Sequence, residues 1–203
     1  MSGLDLRDIQ GNILRAYGRF GFPHARYFLF HIANPRAGRQ FLADLLPKVT
    51  TSERWRDSPD GTTGSTVERP KVTLNVSLSW LGLKALDLPT QTLTRFPREF
   101  IDGMGARAQI LSDLGPSAPS NWDKVWRDPV NGVRGTEIHV LVNLNAQMLE
   151  DGSPVPELEE VTDWLRGLGA GPHLSLLRGH NPDNGDYQQA GAHLAEGLSL
   201  IHI

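Results

Sequence analysis

The stretch that decides the fold is residues 71–78, KVTLNVSL, in which apolar and polar side chains alternate without interruption. This period of two predicts a β-strand with one face buried and the other facing a more polar environment. Ser79 follows at the position of a helix N-cap, and residues 80–86, WLGLKAL, predict a short amphipathic helix. The sequence therefore predicts a half-buried strand that leads directly into a helix.

Apolar residues at helical spacing continue beyond this first helix. Leu93 and Phe96 give a second apolar turn, and Pro97 suits the first turn of another helix. The apolar residues that predict this longer helix are Phe96, Phe100, Ile101, Met104, Ala108 and Leu111. With a loop over residues 115–123, we expect residues 71–123 to form one unit on which the rest of the chain packs.

Outside this unit, three segments predict strands and two predict helices. The strands are expected at residues 27–32, 137–145 and 173–178, from their β-branched, aromatic and alternating content. The helices are expected at residues 35–47 and 156–168, each with leucines on one face. Residues 50–70 predict a long loop, and residues 179–197 show no periodicity.

The order strand, helix, strand, strand, helix, strand predicts an α+β fold. It is the ferredoxin-like βαββαβ arrangement, a four-stranded antiparallel sheet with helices on one face. The other face is expected to be half-polar, with the residues His31, Thr73, Asn75, Ser77, His139, Leu141, Asn143, Ser175 and Leu177. Such a face can meet water, a ligand or a second domain.

Composition excludes several classes of function. The chain has 203 residues, enough for one large or two small domains, and a formal charge of −3 from 20 basic and 23 acidic side chains. This balance, without a basic stripe, argues against nucleic acid as an obligate partner. The absence of cysteine excludes disulfides and thiolate chemistry and fits a reducing compartment. With no apolar run for a signal or a membrane span, we expect a soluble, cytoplasmic protein.

Histidines are the main candidates for chemistry. His31 and His139 are expected on strands of one sheet and on its half-polar face, with Glu137 as the only carboxylate placed to join them in a metal site. Solvated or inter-domain histidines are the alternative interpretation. The remaining histidines are expected at strand ends, in loops or near the carboxyl end: His24, His173, His180, His193 and His202.

Other residue patterns do not indicate catalysis. The acidic residues 159–160, Asp183 and Asp186 are typical of solvated faces and turns, and the chain has no Gly-x-Ser-x-Gly elbow. Trp80 and Trp164 lie at helix-face spacing, which predicts core positions. The residues alone therefore predict a ferredoxin-like domain without a catalytic constellation.

Several motifs resemble those of the dye-decolorising (DyP-type) haem peroxidases. These motifs are residues 8–14 (DIQGNIL), 74–86 (LNVSLSWLGLKAL), 96–108 (FPREFIDGMGARA), 111–115 (LSDLG) and 118–123 (APSNWD). The resemblance extends to about Gly197 and is most specific over residues 96–123.

The resemblance implies two ferredoxin-like halves that enclose one haem b, and hydrogen-peroxide-driven oxidation of dyes, phenolics or other electron donors. The half-polar sheet face would then lie against the second half and the haem cavity. The implied partners are the carboxy-terminal half of the same protein, hydrogen peroxide and a small-molecule reductant.

The sequence departs from the family pattern at the catalytic motif. The family's distal aspartate lies in Gly-x-x-Asp-Gly, and the Asp-Gly pairs at residues 60–61, 102–103 and 151–152 lack the leading glycine. In relatives that motif, the distal arginine and the proximal histidine follow a segment like residues 179–197. No catalytic, haem-binding or metal residue is therefore assigned in this chain.

The carboxyl end is unusual. Residues 198–203, LSLIHI, resemble the translation of a common sequencing adapter, so we expect residues 1–197 to be the amino-terminal half of a peroxidase and 198–203 a non-native tail. Such a truncated chain is expected to be inactive alone. The alternative function is a non-enzymatic ferredoxin-like module that binds or dimerises through its open sheet face.

Overall fold

The fold is one antiparallel sheet with helices packed on it. The structure, a computed structural model, describes residues 3–14, 21–56, 65–195 and 198–202, and from residue 192 onward it describes the backbone only. Within these ranges the sheet has six strands: β1 (His24–Ile32), β2 (Val72–Leu78), β3 (Val140–Ala146), β4 (Leu174–Leu176), β5 (Gln188–Ala195) and β6 (Leu198–His202).

The first four strands have the predicted ferredoxin-like order. β3 lies between β1 and β2, and both pairings are antiparallel, with Phe30 opposite Val140 and Leu78 opposite the same valine. β4 pairs with the other side of β1, where Phe30 lies opposite Leu176. The order β4-β1-β3-β2 confirms the βαββαβ arrangement.

Two further strands, which the sequence did not predict, extend the sheet beyond these four. β5 pairs with β1 from His24 to Tyr27, on the same side as β4, and β6 pairs with β5. Residues 188–191, QQAG, have no apolar–polar alternation, so pairing with the free edge of β1 defines this strand rather than its own pattern. The expected tail contains β6, whereas Gly197 and Ile203 lie outside the described residues.

The helices in the described ranges are α1 (Pro35–Leu45), α2 (Trp80–Ala85), α3 (Thr90–Leu93), α4 (Arg98–Ala106), α5 (Lys124–Val130) and α6 (Glu157–Leu168). None of them is long and apolar enough to cross a bilayer. Asn34 caps α1, because its side-chain oxygen accepts hydrogen bonds from the N–H groups of Arg36 and Ala37. Pro35 occupies the first turn, as the sequence predicts.

The first face of the sheet carries the main core. Helices α1 and α6 cover it with Phe41, Leu45, Leu158 and Leu165, all at most 2% exposed. The strand residues in this core share alternate positions and are Phe28, Phe30, Ile32, Leu74, Val140, Val142, Leu144, Ala146 and Leu174. The hydrophobic alternation therefore fixes which face of each strand is buried.

The second face of the sheet is partly covered, which corrects the expectation of helices on one face only. Val125 and Trp126 of α5 pack on Leu29 and Leu177. The residues between this contact and the sheet edge stay half-buried, among them Tyr27, Asn75, Leu141 and Asn143. The second face thus has a covered end and a partly exposed polar centre. We call the residues Tyr27, Asn75 and Asn143 the open centre of this face.

The longer helix expected at residues 96–111 is short and interrupted. α4 ends at Ala106, and Gly103 adopts φ 71° and ψ 177° inside it, which breaks the helix. The apolar side chains Phe100 and Met104 are 38% and 64% exposed instead of joining the core. The helical spacing therefore indicated an exposed apolar surface in this segment.

Ser79 joins α2 to the start of β3. Its hydroxyl accepts from the N–H of Gly82 at 2.9 Å and donates to the carbonyl of Ile138 at 2.6 Å, while its N–H donates to the carbonyl of His139. This arrangement confirms the predicted N-cap. A Cβ at position 82 would overlap the carbonyl oxygen of His139, so the close approach requires glycine.

The edge of β2 is covered by the amino-terminal segment through Gln10. The side-chain amide of Gln10 donates to the carbonyl of Val76 at 2.9 Å and accepts from its N–H at 2.8 Å. We call this pair the Gln10 clamp. Farther along the same edge, Thr50 accepts from the N–H of Leu74 and donates its own N–H to the carbonyl of Leu74.

Replacing Gly82 by alanine is expected to lower the free energy of unfolding by at least about 2 kcal/mol, because the new methyl group must displace backbone atoms. Gly167→Ala is the matched control, since position 167 lies in α6 with no atom near the added Cβ. Urea denaturation measures both. Equal stability of the two variants would contradict the close packing of α2 on β3.

Gln10→Met, which removes both hydrogen bonds at similar side-chain length, is expected to cost about 1–2 kcal/mol of unfolding free energy. Gln40→Met is the control, because Gln40 is exposed and its side-chain amide donates to the exposed carboxylate of Asp44. The same denaturation measurement applies. A Gln10→Met variant as stable as Gln40→Met would show that the Gln10 clamp does not stabilise the β2 edge.

Candidate functional site

His31 and His139 lie side by side on the second face of the sheet, as the sequence predicts. β1 and β3 place them opposite each other one step beyond the Phe30–Val140 pair. Their rings are stacked, with centroids 4.6 Å apart and planes inclined by 28°. It is the only stacked histidine pair among the described residues. The hydrogen bonds of each ring determine which chemistry the pair can support.

His139 is buried and uses Nδ1 as an acceptor. Its Nδ1 accepts the N–H of Ile32 at 2.8 Å, and the residue is 6% exposed. Burial, with a smaller contribution from His31, lowers the pKa of His139 from 6.5 to about 4. The neutral ring therefore carries its proton on Nε2.

His31 uses Nδ1 as a donor. Its Nδ1 lies 3.1 Å from the backbone carbonyl oxygen of Glu137 and 3.3 Å from the carboxylate Oε2 of the same residue. Both neighbours are acceptors, so Nδ1 of His31 carries a proton and donates. The two stacked rings thus use Nδ1 in opposite roles, His31 as a donor and His139 as an acceptor.

This geometry does not support the metal site considered from the sequence. Nδ1 of His139 is occupied by a backbone N–H, and its Nε2 is protonated, so neither nitrogen can bind a cation without breaking that hydrogen bond. The carboxylate of Glu137 faces Nδ1 of His31. Among the described residues no group of three acidic or histidine side chains has the geometry of a metal site.

His180 is buried without a hydrogen-bond partner. It is 1% exposed, and neither ring nitrogen has a protein partner within the described ranges. Burial lowers the pKa of His180, and the negative charges of Asp123 and Asp186, which act to raise it, offset only part of this effect. The sequence around it, HNPDNG, predicts a turn, and a turn gives no signal that its first side chain is buried.

The turn that carries His180 is attached to α5. The carbonyl of Gly179 accepts the N–H of Val125 at 3.3 Å, and a carboxylate oxygen of Asp123 accepts the N–H of Asn181 at 3.3 Å. Gly179 has φ 103°, and a Cβ there would press on Lys124. These contacts fix α5 on the second face of the sheet.

Two of the acidic residues singled out from the sequence form ion pairs. Glu159 pairs with Arg26, whose guanidinium is nearly buried and also donates to Thr162 at 2.8 Å. Asp186 accepts from Arg166 at 2.7 Å, and this arginine holds the pKa of Asp186 below its usual range. The predicted solvent exposure is right for residues 159, 160 and 183, whereas Asp186 is half-buried.

The remaining histidines are also accounted for. His24 Nε2 lies 2.9 Å from the carbonyl of Gly152, and His173 is exposed in a loop. The side chains of His193 and His202 lie outside what the structure describes. A surface pocket of about 300 Å³ lies at α3 and the segment after it, and its lining within the described ranges, Gln91, Thr92, Arg95 and Phe96, contains no histidine.

The free energy of unfolding is expected to fall as pH drops from about 6.5 to about 4. The unfolded chain protonates residue 139 at higher pH than the folded chain does, so the unfolded state binds more protons in that window. His139→Asn keeps an acceptor for Ile32 N–H but does not titrate. It should remove about 3 kcal/mol of the pH-dependent loss.

Urea denaturation at several pH values measures this slope. His173→Asn is the control and should keep the slope of the unmodified protein, because His173 is exposed. The slope that remains in His139→Asn includes the contribution of His180. An unchanged slope in His139→Asn would contradict the neutral, buried state of His139.

Comparison with known proteins identifies the family. The sequence model of the DyP dimeric alpha+beta barrel domain matches residues 8–150, and no curated protein is a significant match. One similar solved structure is a DyP, with a TM-score of 0.62 and 18% identity over 96% of this chain and 35% of that chain. A second is the Anabaena sp. DyP-type peroxidase AnaPX, with a TM-score of 0.62 and 19% identity over 96% of this chain and 36% of that chain. A third is a decolorizing peroxidase from Auricularia auricula-judae, with a TM-score of 0.61 and 19% identity over 95% of this chain and 35% of that chain.

These identities show likeness of fold, and the chain spans about 35% of the length of each of these solved chains. The match over residues 8–150 covers more than half of the chain and includes the motifs of the Gln10 clamp and of α2. The predicted resemblance is therefore confirmed, and this chain belongs to the DyP family as its dimeric α+β barrel domain.

Proposed function

We propose that this chain is the amino-terminal part of a DyP-type haem peroxidase that oxidises dyes, phenolics or other electron donors with hydrogen peroxide. Two observations carry the proposal: the match to the family model, and the share of the related solved chains over which this chain aligns. The chain aligns over 96% of its own length but only 35–36% of the DyP structures. One of those structures is a complex with 2,6-dimethoxyphenol, which supports a phenolic donor.

We propose that the described residues do not form a haem site by themselves. A proximal histidine needs an accessible nitrogen and a cavity beside it. His180 is 1% exposed, and the ring of His31 is held at Nδ1 by Glu137 and covered on one side by His139. We therefore propose that the axial ligand and the distal groups belong to the part of the protein outside this chain, which would be its obligatory partner.

The proposal also extends to cellular location and to the carboxyl end. The absence of cysteine supports a reducing compartment, and we propose the cytoplasm. Residues 1–197 would be the native domain, and residues 198–203 would be foreign to it. An independent read of the DNA after codon 197 tests this, because a Gly-x-x-Asp-Gly run there supports both the family function and the truncation.

A second candidate function is a non-enzymatic module that dimerises through the open centre of the second face. The polar side chains Tyr27, Asn75 and Asn143 favour it, because they are only half-buried in this chain. Light scattering separates the two functions: a closed dimer supports the module. A monomer or an open-ended aggregate supports the peroxidase part.

The chain alone is expected to give no ligated Soret band on haem titration and no peroxide-dependent oxidation of 2,6-dimethoxyphenol. The longer protein should give both. Haem could also bind weakly and non-specifically through the exposed His173. Such binding is recognised because it is lost in the His173→Gln variant. A histidine-ligated spectrum with turnover from the chain alone, retained in His173→Gln, would refute the proposal.

A further inference from the structure

The segment between β2 and β3, residues 79–139, exposes many large apolar side chains. Seven of the fourteen exposed large apolar residues in the described ranges lie within residues 100–133. We call these seven the insert surface: Phe100, Met104, Ile110, Leu111, Leu114, Val130 and Val133. Exposed apolar groups concentrated in one segment indicate an interaction site more strongly than scattered ones do.

The helices that carry the insert surface contact each other and the sheet. A Cβ at Gly105 would press on the side chain of Val130, so α4 lies directly against the end of α5. α5 is in turn held on the second face by Val125 and by the hydrogen bond from its N–H to Gly179. Packed helices thus present Phe100, Met104 and Val130, and the other four residues of the insert surface lie in the turns and loop that follow α4 and α5.

The insert surface and the open centre of the second face differ in chemistry. The open centre has the polar side chains Tyr27, Asn75 and Asn143, and its apolar neighbour Leu141 already packs with α5. On the insert surface, Met104 and Ile110 are 64% and 74% exposed. Burial of apolar area is the main favourable term in docking, so the insert surface can contribute more docking free energy.

We infer that the insert surface is the docking site for the polypeptide that lies outside this chain in the longer protein. About two thirds of each related solved chain has no counterpart here, and that polypeptide must pack against this domain. Basic and acidic residues occur in nearly equal numbers through residues 95–134, so the segment lacks the strong positive charge that favours a membrane or nucleic acid. The inference rests on the proposed function, because it requires the longer protein.

The chain contains no cysteine, so single substitutions provide clean probes of this surface. Met104→Cys and Ile110→Cys report on the insert surface, and Met148→Cys is the control, since Met148 is 43% exposed outside it. Maleimide labelling, quantified by mass spectrometry of the peptide that carries each site, is compared between the 203-residue chain and the longer protein. We expect labelling of the first two to slow by at least about tenfold in the longer protein.

Two results would overturn the inference. One is that Met104→Cys and Ile110→Cys label equally fast in the longer protein and in the chain alone. The other is that the chain alone forms a discrete dimer in which both positions are protected, which would assign the surface to a second copy. Labelling of Met148→Cys should stay the same in both proteins.

Haem content and peroxidase turnover of the longer protein separate this inference from the proposed function. Turnover without protection of positions 104 and 110 refutes the docking site and leaves the function standing. Protection without haem binding supports the docking site and refutes the function. Met104→Glu with Ile110→Glu adds an independent readout, because it should reduce binding of an apolar dye to the chain alone.

Discussion

The rest of the structure depends on β1, a central strand that is paired along both of its edges. β3 follows one edge, while β4 and β5 share the other. Its first-face side chains Phe28, Phe30 and Ile32 are at most 3% exposed and contact the helices α1 and α6. Its second-face side chains Leu29 and His31 support α5 and the histidine pair. Both the core and the candidate site are therefore built on one strand.

Much of this fold could be predicted, because alternation and caps are local signals. The strand at residues 71–78, the N-cap Ser79 and the ferredoxin-like order follow from such signals. β5 could not be predicted, since its Gln, Ala and Gly residues become a strand only by pairing with β1. Local patterns also fail for the tryptophans. Trp55 is 7% exposed although it lies in a loop, whereas Trp80 and Trp164, which were expected in the core, are only half-buried.

The candidate site was predictable in position but not in protonation. Strand alternation brings His31 and His139 to one face, yet only the contacts with Ile32 and Glu137 reveal that Nδ1 donates in His31 and accepts in His139. Those contacts join residues about a hundred positions apart, so no local pattern encodes them. The buried His180 was missed for the same reason, because α5 covers its turn from a distant part of the sequence.

The Gln10 clamp makes the two edges of the sheet unequal as sites for adding a strand. A side-chain amide has the donor and the acceptor of a peptide group, so at the β2 edge it takes the place where a further strand would bond. The opposite end of the described sheet is β6, which has a neighbour on one side only. In the 203-residue chain, a further strand would therefore add at β6 and not at the β2 edge that the Gln10 clamp occupies.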